Sequence, residues 1–219
     1  MANNVIGFAG IDKYELILYL SRIIFHLGKK VLLVDDSESE ALYQCIPVPE
    51  SLREAICPIH YRGMDFILGK YYHADLGLHY DVVILDLGFQ LKADLVSECT
   101  RLFYVIDLQL HNIRKLRLKN QPEDIPMSLI IKDVFPCKIK PEIIMEQWQQ
   151  DMNLHKGYIL YLDTLDLKYK IQSQYDSVFQ FQKVSAPVTE LLKDIVKQMD
   201  FSLQEKEIKQ AYHKAERGR

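Results

Sequence analysis

The sequence predicts an α/β fold: three α/β/α layers around a mostly parallel sheet. Short runs rich in Val, Ile and Leu recur along the chain without polar alternation, as expected of strands buried on both faces. Segments with helical periodicity lie between them, so strand and helix alternate as in βαβ units. Small and acidic residues stand directly after several of the strands, where the ligands of such sheets bind.

The elements follow in order. A first strand is expected at residues 5–7, then a long apolar helix over 13–27 that stops at Gly28, a residue suited to a helix end. Residues 31–34 (Val31-Leu32-Leu33-Val34) form the second strand, and a helical pattern over 49–57 precedes a strand at 65–68. Residues 82–85 (Val82-Val83-Ile84-Leu85) are the most apolar strand. Helix 91–99, strand 102–106, helix 109–119, strand 127–131, helix 140–150, strand 158–162 and helix 187–200 complete the alternation. No repeat, low-complexity stretch or long linker interrupts it. Residues 1–200 therefore read as one α/β domain, and residues 201–219 as a polar C-terminal helix or tail.

Composition narrows the function classes. The chain has 219 residues, 48% hydrophobic and 26% charged, values that suit a globular domain with a sizeable core. A formal charge of −3 argues against a whole-molecule polyanion binder, so DNA is disfavoured as a partner. Cys45, Cys57, Cys99 and Cys137 are scattered, without metal-ligand or redox spacing, and the histidines form no ligand pair, so no metal site is expected. The N-terminus, Met-Ala-Asn-Asn, lacks a basic region followed by a long apolar stretch, and no apolar run approaches the ~18 residues needed to cross a membrane. The expected location is the cytoplasm, with attachment to the inner face of the membrane as a further option.

The chemistry concentrates at strand ends. After the first strand comes Gly7-Phe8-Ala9-Gly10-Ile11-Asp12-Lys13-Tyr14-Glu15: a strand, a glycine-containing turn, a lysine and a helix start. These are the parts of a loop in which backbone N–H groups and a lysine cradle phosphates. Asp35-Asp36-Ser37 and Asp86-Leu87-Gly88 follow two other strands. Strand-end aspartates beside a lysine-bearing loop suit Mg²⁺ and a nucleoside triphosphate.

At these residues the chain resembles the ParA/MinD family of P-loop ATPases, a SIMIBI-class group with a deviant Walker A motif. Lys13-Tyr14-Glu15-Leu16-Ile17-Leu18-Tyr19-Leu20-Ser21 is similar to the family's K-T-T-x-x-x-x-L-A helix start. Gly28-Lys29-Lys30-Val31-Leu32-Leu33-Val34-Asp35 resembles G-x-K-V-L-L-I-D, and Tyr80-Asp81-Val82-Val83-Ile84-Leu85-Asp86 resembles the Walker B strand Y-D-x-I-I-I-D. Ser51-Leu52-Arg53-Glu54-Ala55-Ile56 and Gly63-Met64-Asp65-Phe66-Ile67-Leu68-Gly69 resemble the family's intervening helix and strand, so the resemblance runs from about residue 3 to 199. It implies vestigial nucleotide-binding positions at Gly7, Gly10, Lys13, Asp35 and Asp86.

The departures fall on the chemistry. Against the family pattern G-K-G-G-x-G-K-[ST], the signature lysine that reaches a dimer partner's nucleotide falls on Phe8. The glycine before the P-loop lysine falls on Asp12, and the Mg²⁺-ligating hydroxyl on Tyr14. The second acid of the family's D-x-D falls on Ser37, with Asp36 the nearest substitute. Hydrolysis needs metal, positioned water and stabilised charge together. No catalytic residue and no cofactor is therefore expected. The resemblance implies a catalytically impaired scaffold or localisation factor for a secretion, pilus or conjugation assembly, with a protein partner and a homodimer in prospect. The alternative is an atypical ATPase switch that takes ATP and Mg²⁺. Without phosphate, Lys13 would be a solvent-exposed residue of the first helical turn, with Asp12 as N-cap and Glu15 favoured by the helix dipole.

Three further features bear on partners. Arg114-Lys115-Leu116-Arg117-Leu118-Lys119, with Lys132, Lys138 and Lys140, reads as a solvated basic face, or as a surface for DNA or acidic lipid. The tail places Phe201, Ile208, Tyr212 and Ala215 at helical spacing, among Lys206, Lys209 and Lys214 and the acids Glu205, Glu207 and Glu216. That balance fits a partner-binding or frayed helix better than a membrane helix. The pairs Tyr71-Tyr72 and Tyr158/Tyr161 are candidate contact aromatics.

Overall fold

The computed structural model describes residues 4–52, 56–117, 124–152, 154–199 and 202–218, and its strands lie where the apolar runs fall. They are β1 (Asn4–Gly10), β2 (Val31–Asp35), β3 (Ile59–Tyr61), β4 (Met64–Leu68), β5 (Val82–Gly88), β6 (Arg101–Ile106), β7 (Met127–Val134) and β8 (Lys156–Tyr161). The helices are α1 (Tyr14–His26), α2 (Ala74–Gly77), α3 (Ala93–Glu98), α4 (Leu110–Arg117), α5 (Pro141–Met152), α6 (Thr164–Tyr175), α7 (Ala186–Gln198) and α8 (Glu205–Ala215).

Among the described residues the sheet has eight strands in the order β3-β4-β2-β5-β1-β6-β7-β8, of which only the short β3 runs antiparallel to its neighbour. Alternate side chains along each central strand enter one of two cores. Ile6, Phe8, Leu33, Ile84 and Phe103 meet α1, α7 and α8 on one face, while Ala9, Leu32, Val83, Leu102 and Tyr104 meet α3, α4 and α5 on the other. Burial on both faces is why these strands read as unbroken apolar runs. Helix α1 is buried from Tyr14 to Ile24, which explains its all-round hydrophobicity.

Several expectations are corrected. The helix expected over 49–57 reduces to a 3₁₀ turn at Glu50–Leu52, with residues 53–55 outside the described residues. Strand β3, α2 and α6 carried no recognised signal; α6 presents Leu165, Leu167 and Ile171 on exposed positions, which blurs its amphipathic pattern. The tail does form a helix, but Ile208, Ala211, Tyr212 and Ala215 are buried in the core with α1 and α7, and Tyr212 Oη bonds Thr189 Oγ1 at 2.8 Å. Its apolar stripe is consumed within the domain, so α8 is neither frayed nor held out for a partner. Phe201 lies outside the described residues.

Candidate nucleotide site

The segment expected to be a loop is largely strand. β1 continues through Gly10, pairing with β5 on one side and β6 on the other: Phe8 lies opposite Asp86 and Phe103, and Gly10 opposite Val105. The ladder extends further, since Ile11 N–H donates to Val105 O at 3.0 Å. Backbone groups committed to a sheet are not turned inward to cradle a phosphate.

The two glycines retained from the motif have packing roles. A Cβ on Gly7 would come within 2.8 Å of Cys99 Sγ and Leu102 Cδ1. Gly10 has φ +116°, and a Cβ there would lie 2.0 Å from Val105 O. Phe8, which the sequence resemblance aligns with the signature lysine, is fully buried and stacks on Phe103 with centroids 5.1 Å apart.

Lys13 is not the exposed lysine that a phosphate-free reading expects. It is 1% exposed, and its ammonium lies 2.5 Å from Asp86 Oδ1, 3.4 Å from Gly10 O and 3.3 Å from Ile11 O. A lysine ammonium has three protons, so its donor capacity is met within the chain. A bulge on β5 helps: the register with β1 jumps between Phe8 and Ala9. Asp86 Oδ1 also accepts from Gly88 N–H at 3.2 Å.

Asp12 is not the N-cap either. Lys13 occupies that position and no side chain caps α1; Asp12 Oδ1 accepts instead from Ser39 Oγ at 2.9 Å. Tyr14 is buried and its hydroxyl donates to Lys170 O at 3.1 Å, on α6. Burial, reinforced by Glu15, pushes its phenol pKa well above the ordinary tyrosine value.

The acids after β2 are committed as well. Asp35 Oδ1 accepts from Ser37 Oγ (2.6 Å) and Ser37 N–H (3.1 Å), and Oδ2 from Tyr43 N–H (2.8 Å). Burial and the neighbouring Asp86 push its pKa up to about 6, against the hydrogen bonds from Ser37 and Tyr43. Asp36, the nearest substitute for the second acid, has its Oδ1 held by Lys92 Nζ at 2.6 Å and packs against Gly69, where a Cβ would lie 2.2 Å from that oxygen.

A cleft of about 330 Å³ lies over this edge, lined in part by Gly10, Asp12, Ser37, Glu38, Gly88 and Lys115. Two carboxylates face it against one lysine, and Lys115 Nζ sits 4.0 Å over the Phe89 ring. That balance disfavours a triphosphate. Mg²⁺ fits no better, because Tyr14 points to α6, Asp86 is held by Lys13, and Asp35 accepts from Ser37 and Tyr43. Among the described residues no group of three His, Cys, Asp or Glu side chains is placed to hold a metal.

A buried ion pair went unread in the sequence. Glu15 Oε1 pairs with Lys132 Nζ at the end of β7, and Lys132 also donates to Asp12 O at 3.3 Å. Lys132 holds the Glu15 carboxyl below its usual range despite burial, and Glu15 raises Lys132 in turn. The available signal was a charge between Tyr14 and Leu16 in a helix apolar all round, and a lysine directly after Leu129-Ile130-Ile131. Lys132 thus leaves the proposed basic face. On α4, Leu116 is buried, while Leu118 and Lys119 lie outside the described residues. Of the tyrosine pairs, Tyr72 is buried on Glu98 and Tyr161 is exposed.

The fold is that of the ParA/MinD P-loop ATPases. Similar solved structures include the MinC:MinD cell division protein complex of Aquifex aeolicus (14% identity, 89% of this chain and 96% of that chain, TM-score 0.56). The pNOB8 ParA bound to nonspecific DNA is similar at 14% identity over 92% of this chain and 100% of that chain, with TM-score 0.56. Apo McdA of Cyanthece is similar at 11% identity over 95% and 98%, with TM-score 0.57. No protein-family model matches the chain, and no curated protein matches it in sequence.

Proposed function

We propose that this chain is a non-hydrolysing ParA/MinD-like protein that serves as a scaffold or localisation factor for a cytoplasmic or membrane-associated assembly of secretion, pilus or conjugation type. The observation that carries this reading is the buried Lys13 ammonium, whose three acceptors all belong to the chain itself. Gly7, Gly10, Asp35 and Asp86 stand at nucleotide-binding positions as vestiges: each packs, pairs or holds a turn. The named relatives support an assembly role by analogy, since one is a complex with MinC and another a complex with DNA. A protein partner, with self-association as a further option, fits the formal charge of −3 better than DNA. No helix among the described residues is long and apolar enough to cross a membrane, so contact with a membrane would be peripheral.

A ligand that binds only the folded state raises the melting temperature. The test is thermal unfolding with millimolar Mg·ATP together with an ATP turnover assay. No upward shift and no turnover are expected. Turnover abolished by Lys13→Ala would overturn the proposal.

One observation favours the second reading, an ATP-dependent switch: the N-terminus of α1 has no side-chain cap, which leaves N–H groups for an anion. In that reading Lys13 would have to leave Asp86 before meeting phosphate, and Mg·ATP would raise the melting temperature.

A further inference from the structure

The sheet ends on β8, which has a neighbouring strand on one side only. Its bare side can be read from the ladder. Leu102 N–H donates to Pro126 O, so alternate residues Ser128 and Ile130 turn their peptide groups to β6, and Leu129 and Ile131 turn theirs to β8. In a parallel pair only one of two register partners faces the other. Gly157 and Ile159, opposite Leu129 and Ile131, therefore face away from β7. Beyond the β7 irregularity Leu162 N–H donates to Val134 O at 2.7 Å, which turns Tyr161 outward as well. Among the described residues no hydrogen bond from another element reaches the N–H or C=O of these three.

Such an edge is a template for another strand, and proteins usually blunt it by shortness, proline or charge. The opposite edge, β3, is three residues long. β8 has six residues, Lys156-Gly157-Tyr158-Ile159-Leu160-Tyr161, with no proline and a charge only at its start. Gly157 and Tyr161 are both exposed. Met145 packs beneath Gly157, where a Cβ would lie 2.3 Å from its Sδ, so this position is held to glycine and leaves a gap in the edge. Tyr161 lies on the same side of the strand as Gly157, four residues on.

Beside the edge runs a groove of about 580 Å³ between β8 and α7. The two elements are antiparallel: Val188 lines a cavity with Leu160 and Tyr161, while Asp194 pairs with Lys156 at 2.7 Å. Glu190 thus stands toward the Leu160 end of the groove, and Lys193 and Lys197 toward the Lys156 end.

We propose that β8 pairs antiparallel with β8 of a second copy of this chain, about a two-fold axis through Ile159, joining the two sheets into one. Ile159 then meets its own counterpart and Gly157 meets the second copy's Tyr161, with the N–H and C=O of all three satisfied. The Tyr161 ring fills the gap over Gly157, as aromatics do at edge glycines. A two-fold interface must complement itself. This one does, because the axis turns the Glu190 end of each groove toward the Lys193 and Lys197 end of the other. A strand from a strongly charged partner gains nothing from a groove lined by Lys156, Lys193 and Lys197 against Glu190, Asp194 and Glu205. The inference names a surface for the self-association left as an option above. It does not depend on the loss of hydrolysis, which nucleotide assays decide; the experiment below uses no nucleotide.

Sedimentation velocity of the full chain between about 1 and 200 μM is expected to show a monomer–dimer equilibrium. Amide hydrogen exchange is expected to show Gly157, Ile159 and Tyr161 protected at high concentration and released on dilution. Tyr161→Pro removes an outward donor without touching the β7 ladder, a substitution that edge strands accept. It is expected to weaken the dimer about tenfold or more. Ile159→Lys sets like charges opposite each other at the axis, and Ile159→Glu does the same with the other sign. Each is expected to be monomeric alone, and an equimolar mixture to dimerise. A wild-type chain that stays monomeric would overturn the proposal, even if the edge bound an extended peptide of another protein. So would a dimer unchanged by Tyr161→Pro, outward amides whose exchange ignores concentration, or Lys and Glu variants that fold but do not pair when mixed.

Discussion

Lys13 and Asp86 meet 2.5 Å apart inside the sheet's carboxyl edge, with side chains only 1% and 3% exposed. The Lys13 charge neutralises a strand-end aspartate, and together they lock the first turn of α1 to β5. Removing one member of a buried pair leaves an uncompensated charge, whereas replacing both by apolar groups is often tolerated.

Lys13→Met is therefore expected to cost about 3–5 kcal/mol in urea unfolding. The double variant Lys13→Met/Asp86→Leu is expected to recover at least half of that loss. A single-variant cost under about 1 kcal/mol would mean that the pair is solvated, as surface pairs are, and the locked-site account would fail.

Asp35 gives a pH dependence. Its pKa is raised from the ordinary 3.8 to about 6, by burial first and by Asp86 second. The folded chain keeps this proton where the unfolded chain has lost it. The contribution to stability is therefore full below about pH 3.8 and is lost as pH rises through about 6. The whole change is about 3 kcal/mol. Carbon-detected NMR should place the Asp35 carboxyl midpoint near 6; a midpoint near 4 would contradict the geometry.

Residue 8, where the sequence resemblance puts a signature lysine, does not accept one without cost. Phe8→Lys would drive an ammonium into the stack with Phe103, and the variant is expected to unfold or to collect in the insoluble fraction. Phe8→Leu, which conserves apolar volume better, is expected to cost less than about 1.5 kcal/mol. A soluble Phe8→Lys protein with wild-type melting temperature would show that residue 8 can turn outward.

Helix α8 should behave as core. Tyr212→Ala, at a side chain 4% exposed, is expected to cost about 3–5 kcal/mol, as for other large aromatics. Truncation before Gln204 should bare the α1 face and produce dye-binding, aggregation-prone protein. An unchanged melting temperature after truncation would make α8 the detachable tail that its polar composition suggested.

The strand positions were legible because burial on both faces writes itself into composition: Val82-Val83-Ile84-Leu85 has little alternative to a central strand. The fold followed, since alternating strand and helix leaves few right-handed arrangements. The site was legible only in part. Phe8, Asp12 and Tyr14 are visible as departures in one dimension, but nothing in their order says that β1 extends to Gly10 and that the ladder takes up the Ile11 amide as well. Helix α6 was missed because its exposed Leu165, Leu167 and Ile171 break amphipathic spacing, and α8 was misjudged because one apolar residue per turn suffices beside the close-packed α1.

The sequence by itself determined the layered fold, the placement of acids and a lysine at strand ends, and the departures of Phe8, Asp12 and Tyr14 from the motif it resembles. Only the tertiary structure decided what the surviving residues do. Lys13 finds Asp86 from another strand, Glu15 finds Lys132 across 117 positions of chain, and Tyr14 reaches the α6 backbone. Local pattern records which face of an element is buried. The partner of a buried charge is set by the packing of distant segments, and that partner separates a phosphate ligand from a structural lysine.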